Sequence, residues 1–164
     1  MSLLIDRTGA IPDVWTRVEG GGPLPGGPAI VDADRLGATR GHAPLGVHLP
    51  NSADPKEIAP FFGRLGLVSV GFPAFADGRG FSIGRRLRDL GFPGRLRAAG
   101  PLIADQFAYL IECGFDEVEI PDAVAARQPV EHWLAALSRV GQSYQRGRPG
   151  ARASILDRRR AGHA

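Results

Sequence analysis

From Ala29 onward the apolar positions fall into a repeating rhythm: a short apolar run, a turn, then a stretch with helical spacing. AIVD (29–32), LGVHL (45–49), GLVSVG (66–71), RLRAA (95–99) and DEVEI (116–120) predict five strands. The third is β-branched and almost wholly apolar, which suits a strand covered on both faces. SADPKEIAPFFGRLG predicts a helix that Pro60 kinks or shortens. A basic helix follows the loop 74–80 and closes at Gly91. PLIADQFAYLIEC reads as a helix with Pro101 near its first turn and Gly114 just past its end. In PVEHWLAALSRVGQSY, the residues Val130, Trp133, Leu134, Leu137 and Val140 share one helical face.

Strand–helix alternation with short connections implies parallel strands joined by right-handed crossovers. Residues 1–28 alternate only briefly (Val14, Thr16, Val18) before breaking in GGGPLPGGP, which predicts a small β-rich N-terminal appendage. The expected architecture is α/β: a single domain over 1–145 with a mostly parallel, about five-stranded sheet flanked by helices. Too few βα units are present to close a barrel, so an open doubly wound sheet is expected. The segment 146–164, polar and rich in Arg, reads as a flexible basic tail.

Composition narrows the chemistry. Hydrophobic residues make up 43% of the 164 residues, and no apolar run approaches membrane-spanning length. MSLLIDRTG lacks a secretory pattern, so the expected compartment is the cytoplasm, with no membrane partner. A single cysteine, Cys113, excludes an intramolecular disulfide, a two-thiol redox couple and a thiolate-rich metal or cluster site. At a helix C-terminus it reads as a packed, inert thiol. The four histidines, His42, His48, His132 and His163, have no metal-ligand spacing, so no metal is expected. The pI of 9.7 looks like that of a nucleic-acid binder. All but one of the 20 basic residues are Arg, however, and with 23 Gly and 14 Pro this fits a coding bias. Nucleic acid therefore ranks last among partners, resting on the tail and its Arg158-Arg159-Arg160.

The stretch FADGRGFSIGRRLRDLG (75–91) carries the strongest candidate chemistry. In open α/β sheets ligands bind in the loops at the carboxyl ends of strands, and Asp77-Gly78-Arg79-Gly80 follows the best strand. Gly78 and Gly80 would permit positive φ and a close backbone approach, Ser82 would cap the helix, and its first-turn N–H groups with Arg79 would hold an anion. Arg79 is expected to project from the sheet's carboxyl rim into a solvent-reachable hollow. The same residues also fit a plain turn before a surface helix. Ile83, Leu87 and Leu90 form that helix's apolar stripe, Arg85, Arg88 and Asp89 its solvated face, and Arg86 sits at the edge. Neither a Walker loop nor a dinucleotide fingerprint is present. Asp105 and Glu112 share a helix face, either as an acid/base pair or as an exposed acidic flank. His48 ends a strand, where it faces a cleft or, more simply, sits satisfied in the core. Trp15 and Trp133 read as packing residues.

FADGRGFSIGRRLRDLGFPGRLRAAG followed by LIADQFAYLIECGFDEVEI resembles the bacterial domain-of-unknown-function family 934. The resemblance rests on Asp77 to Ser82, on Leu96-Arg97-Ala98-Ala99-Gly100, on Asp105-Gln106 and on Cys113-Gly114-Phe115-Asp116. Phe81, Pro101 and Ala104 stand where Tyr, Asp and Arg are usual in the family. Members are often labelled oxidoreductases of sulfite reduction, which implies a place in assimilatory sulfur metabolism. The resemblance implies an accessory protein that docks on sulfite reductase or its electron donor. With the loop, it implies an oxyanion near Arg79 and Arg97, with Asp77, Gly78, Gly80, Ser82, Arg86, Asp105 and Gln106 around it. The alternative is a small enzyme using this loop on a sulfate-, phosphate- or nucleotide-bearing substrate. No flavin or nicotinamide signature identifies a cofactor, so a redox role would need one bound without such a signature or held by a partner.

Overall fold

The structure is a computed structural model that describes residues 2–139. Eight strands form one sheet: β1 (Ser2–Asp6), β2 (Gly9–Ile11), β3 (Thr16–Arg17), β4 (Ala29–Asp32), β5 (Leu45–Leu49), β6 (Leu65–Gly71), β7 (Arg95–Ala99) and β8 (Glu117–Pro121). Their order is β2-β1-β8-β7-β6-β5-β4-β3. The strands β3 to β8 run parallel to one another, whereas β1 is antiparallel to both β8 and β2.

The five expected strands are present, but the sheet has eight. The N-terminal residues are not an appendage. β1 pairs along its whole length with β8, and Thr16 and Arg17 extend the opposite edge beside β4. Nor is the sheet doubly wound, because β4 to β8 lie side by side in chain order with no reversal. Right-handed crossovers between successive neighbours place every connection on the same face. That face carries Val31, Val47, Leu49, Val68, Val70, Leu96, Ala98, Val118 and Ile120, in one core with Ile83, Leu87, Phe107, Leu110 and Trp133 of the helices.

The other face is concave, as the short segment between the two edge strands and the packing of its Trp15 against Gly46 and Gly66 show. β2 and β3 are the two edges of the sheet. Ile11 and Thr16 are five residues apart, a span of at most about 18 Å. Eight strands about 4.8 Å apart measure about 34 Å along the sheet. The sheet therefore rolls through roughly half a turn or more, and residues 12–15 strap it from edge to edge.

The interior is layered. At the amino ends of the strands Trp15 fills the roll. A Cβ on Gly46 would stand 3.2 Å from its ring, and one on Gly66 3.4 Å, so both glycines make room for the indole. The next layer is a row of inward polar side chains in register: Asp32, His48, Ser69, Arg97, Glu117 and Asp6. Above it, towards the carboxyl ends, stand Gly71, Ala99 and Glu119.

The helices are shorter than expected. Residues 52–66 give two 3₁₀ turns, Pro55–Glu57 and Ala59–Arg64, as the prolines deny α-helical hydrogen bonds. α1 spans Arg79–Asp89. A 3₁₀ turn (Ala104–Gln106) leads into α2 (Phe107–Glu112), so Pro101 lies ahead of the helix. α3 (Asp122–Ala125) was not foreseen, and α4 covers Val130–Arg139. The rest of the expected last helix and the basic tail 146–164 lie outside the described residues.

Candidate functional site

A cavity of about 520 Å³ opens at the carboxyl ends of β5 to β8, above the polar row. Gly71 and Ala99 form part of its lining, and their small side chains leave the space empty. Around them stand His48, Pro50, Asn51, Phe72, Gly100 and Glu119, closed by Arg17 from β3 and Ser2 from β1. The wall is largely apolar with a few convergent polar groups, the usual character of a small-molecule site.

Arg17, His48 and Ser69 form one cluster. Arg17 Nη2 donates to His48 Nδ1 at 2.8 Å and to Ser69 Oγ at 3.1 Å, and Nδ1 and Ser69 Oγ are 3.2 Å apart. A guanidinium only donates, so Nδ1 is the acceptor and Nε2 carries the proton. Burial, and then the Arg17 charge, lower the imidazole pKa to about 4 against the pull of Asp32 and Glu119. The ring is therefore neutral at pH 7. Its Nε2 leans over Gly71, 3.3 Å from where a Cβ would sit. Neither Nε2–H nor the Nε and Nη1 donors of Arg17 have a hydrogen-bond partner among the described residues. The simpler reading of His48 as a satisfied core histidine is thus corrected.

Below the cavity lies the buried Arg97, 1% exposed. Its Nη atoms grip Asp13 of the strap in a two-pronged pair at 2.8 and 2.9 Å. Its Nε donates to Glu117 Oε1 at 2.8 Å, and Nη1 also reaches Glu119 Oε2 at 3.1 Å. Burial alone would lower the Arg97 pKa, but the Asp13 and Glu117 hydrogen bonds outweigh it and raise it. Arg95 holds the other side of Glu117 at 2.6 Å. Arg97 is thus an internal brace fastening the strap to the sheet, with its donors committed to carboxylates.

The loop residues sit elsewhere. Asp77, Gly78, Arg79, Gly80, Ser82, Arg86, Asp105 and Gln106 are not among those lining this cavity. Arg79 begins α1 with a side chain 65% exposed, and its guanidinium is paired with Asp77 at 2.7 Å. Side-chain and backbone hydrogen bonds from Arg79 hold the Asp77 carboxyl down to about 2. Asn51, which lines the cavity, donates to the same carboxylate and so ties this loop to the end of β5. Gly78 has φ −78°, so no positive φ is needed there. Gly80 is required by packing instead, since a Cβ would meet the Phe72 ring at 2.4 Å. Ser82 lies inside α1 and caps nothing.

Arg86 is exposed on α1. Arg88 is no solvated residue: it donates to the carbonyls of Phe92, Gly94 and Gly114 and pairs with Asp116 at 2.7 Å. Asp105 is exposed, while Gln106 bridges the N–H of Ile103 and the carbonyl of Phe75. Cys113 is buried, and burial pushes its thiol pKa up, consistent with an inert residue.

Arg17, Asn51 and Glu119, which line the cavity, were not singled out by any sequence motif. One signal was present: RLRA and EVEI alternate charged with apolar positions in opposite sign, as two neighbouring strands sharing a charged interior face would.

A family model described as bacterial protein of unknown function (DUF934) matches residues 46–154. No curated protein and no solved structure matches the chain. The matched region holds β5 to β8 and with them most of the cavity wall. The chain belongs to this family.

Proposed function

We propose that this DUF934 protein binds a small acid in the mouth of its rolled sheet, as an accessory protein of assimilatory sulfite reduction. The single observation that supports the reading is the Arg17–His48–Ser69 cluster, with its unpartnered donors at the cavity. A solvent-exposed cation, held through its Nη2, and a neutral N–H donor stand side by side at the carboxyl ends of parallel strands, where ligands of such sheets bind. Arg17 supplies charge and two further N–H groups, and the imidazole supplies one more.

The oxyanion site expected at Arg79 and Arg97 moves to Arg17 and His48 in this reading, because Arg97 is committed to three carboxylates and Arg79 to Asp77. Sulfite reduction enters through the family resemblance, and docking on the reductase or its electron donor remains part of the proposal.

The test is a thermal-shift screen with sulfite, sulfate, adenylyl sulfate, flavins and nicotinamides, run beside Arg17→Gln. A bound ligand at a hundredfold its Kd adds about 2.7 kcal/mol of stability. The expected result is a shift with a small oxyanion that Arg17→Gln abolishes. A shift with adenylyl sulfate alone would favour the enzyme alternative, and no shift with any compound would sink the binding reading. Affinity capture with the reductase tests the docking role, and absence of any retained pathway component would count against it.

A further inference from the structure

The cavity has two electrically opposite ends. At one end Arg17 has no ion pair among the described residues, and His48 offers a neutral donor. At the other end Glu119 accepts from Ser2 Oγ at 3.1 Å and from Arg97 at 3.1 Å. Arg97 is shared between Glu119, Asp13 and Glu117. Arg95 and Arg97 are the two cations of the interior ion network, and they face four carboxylates: Asp6, Asp13, Glu117 and Glu119. By ion pairs alone two negative charges are left over, although the Arg17 charge also acts on Asp13, and Glu119 is the carboxylate of the four that lines the cavity.

Between the two ends lie the small residues Gly71 and Ala99, side by side in register with Glu119. His48 overhangs Gly71. From Gly71 to the backbone of Glu119 is two strand spacings, about 10 Å, and the glutamate side chain reaches back across part of that gap. A lone anion would satisfy Arg17 and His48 but leave the excess negative charge at Glu119 facing it.

We propose that the cavity takes a zwitterion, a small molecule whose acid group sits on Arg17 and His48 and whose primary ammonium sits on Glu119. This rests on the anion-binding reading of the Arg17 end and adds the chemistry of the far end. The ammonium donates to the open lone pairs of Glu119, and the few carbons between the groups lie over Gly71 and Ala99.

Calorimetric titration of the full chain at pH 7.5 with two matched pairs tests this: β-alanine against propionate, and taurine against ethanesulfonate. The pairs separate a carboxylate from a sulfonate as the preferred acid group. The amino member is expected to bind about tenfold or more tightly than its deaminated counterpart, a difference of about 1.4 kcal/mol. Glu119→Gln should weaken the amino member, tighten the deaminated one and bring the ratio to about one. Glu119→Asp, which keeps the charge, should restore part of the preference. Arg17→Gln should lower the affinity of all four compounds. Equal binding of the two members of both pairs, or a preference that survives Glu119→Gln, overturns the zwitterion while leaving the acid site standing. If neither acid binds, the Arg17 reading fails and the zwitterion falls with it. Ethylamine binding through Glu119 in that case would mark a cation site instead.

Discussion

Removing Arg97 is the sharpest perturbation of the architecture. Its guanidinium is fully buried and makes four charge-assisted contacts of 2.8 to 3.1 Å to three carboxylates. Arg97→Met keeps much of the volume and deletes the cation. Leaving buried charges uncompensated typically costs about 3–5 kcal/mol. Asp13 is partly exposed at 28% and Glu117 keeps Arg95, which argues for the middle of that range, about 4 kcal/mol at pH 7.5.

The pH dependence has a definite sign. In the wild type, burial raises the Asp13 pKa, but the hydrogen bonds from Arg97 and the Trp15 N–H, with the Arg97 and Arg17 charges, bring it below 3.8. That contribution is present above the unfolded value and lost as pH falls through the lowered one. In Arg97→Met the burial is opposed far less, so the variant regains stability relative to wild type as pH falls from 7.5 to 5. Urea unfolding at both pH values measures this. With a slope of about 2 kcal/mol per molar, the midpoint should drop by about 2 M at pH 7.5 and by less at pH 5. Hydrogen exchange should also accelerate in residues 12–18 as the strap loses its anchor. A midpoint shift under about 0.5 M, or one equal at both pH values, would refute the idea that this brace holds the strap.

Other variants probe other joints. Gly100→Ala places a Cβ 1.9 Å from the Phe72 carbonyl oxygen at φ +149°, so it should lose about 3 kcal/mol or more in chemical denaturation. Gly71→Ala crowds His48 Nε2 at 3.3 Å and intrudes on the cavity, so calorimetry should show acid binding weakened about tenfold with stability changed by under about 1 kcal/mol. His48 has a folded pKa of about 4 against 6.5 unfolded, so its contribution to stability is full above 6.5 and falls with pH towards 4. Between pH 6.5 and 5 the wild type should lose about 1–2 kcal/mol relative to His48→Gln, after allowance for partial exposure. Cys113, being buried with a raised thiol pKa, should react with an aromatic disulfide reagent only as fast as the protein opens.

The strands β4 to β8 were legible because each is a short apolar run between turn residues, and apolar alternation is local information. The roll of the sheet was not. It follows from pairing Ser2–Asp6 with Glu117–Pro121, more than a hundred residues away, which no window along the chain contains. The candidate site shows the same divide. The cavity does open at strand carboxyl ends, but from the sequence the rule for such sheets pointed to the loop at Asp77-Gly78-Arg79-Gly80, which does not line it. Arg17 lies 31 residues from His48 and 52 from Ser69, so only the strand register unites them. Arg97 shows why a residue type alone misleads: an arginine in a Gly/Arg-rich phrase looks like an anion ligand until its neighbours prove to be Asp13, Glu117 and Glu119.

In the proposed function, Arg17 and the neutral, Nε2-protonated ring of His48 receive an acid group in the mouth of the rolled sheet. Nitrogen-15 NMR of the histidine side chains measures it directly, with the compound that gives the largest thermal shift titrated at pH 7.5. The expected result is an Nε2–H tautomer for His48 before ligand is added, and a saturating shift of that nitrogen as ligand binds, lost in Arg17→Gln. An Nδ1–H tautomer, or a ligand that stabilises the protein while leaving the His48 resonances unmoved, would contradict it.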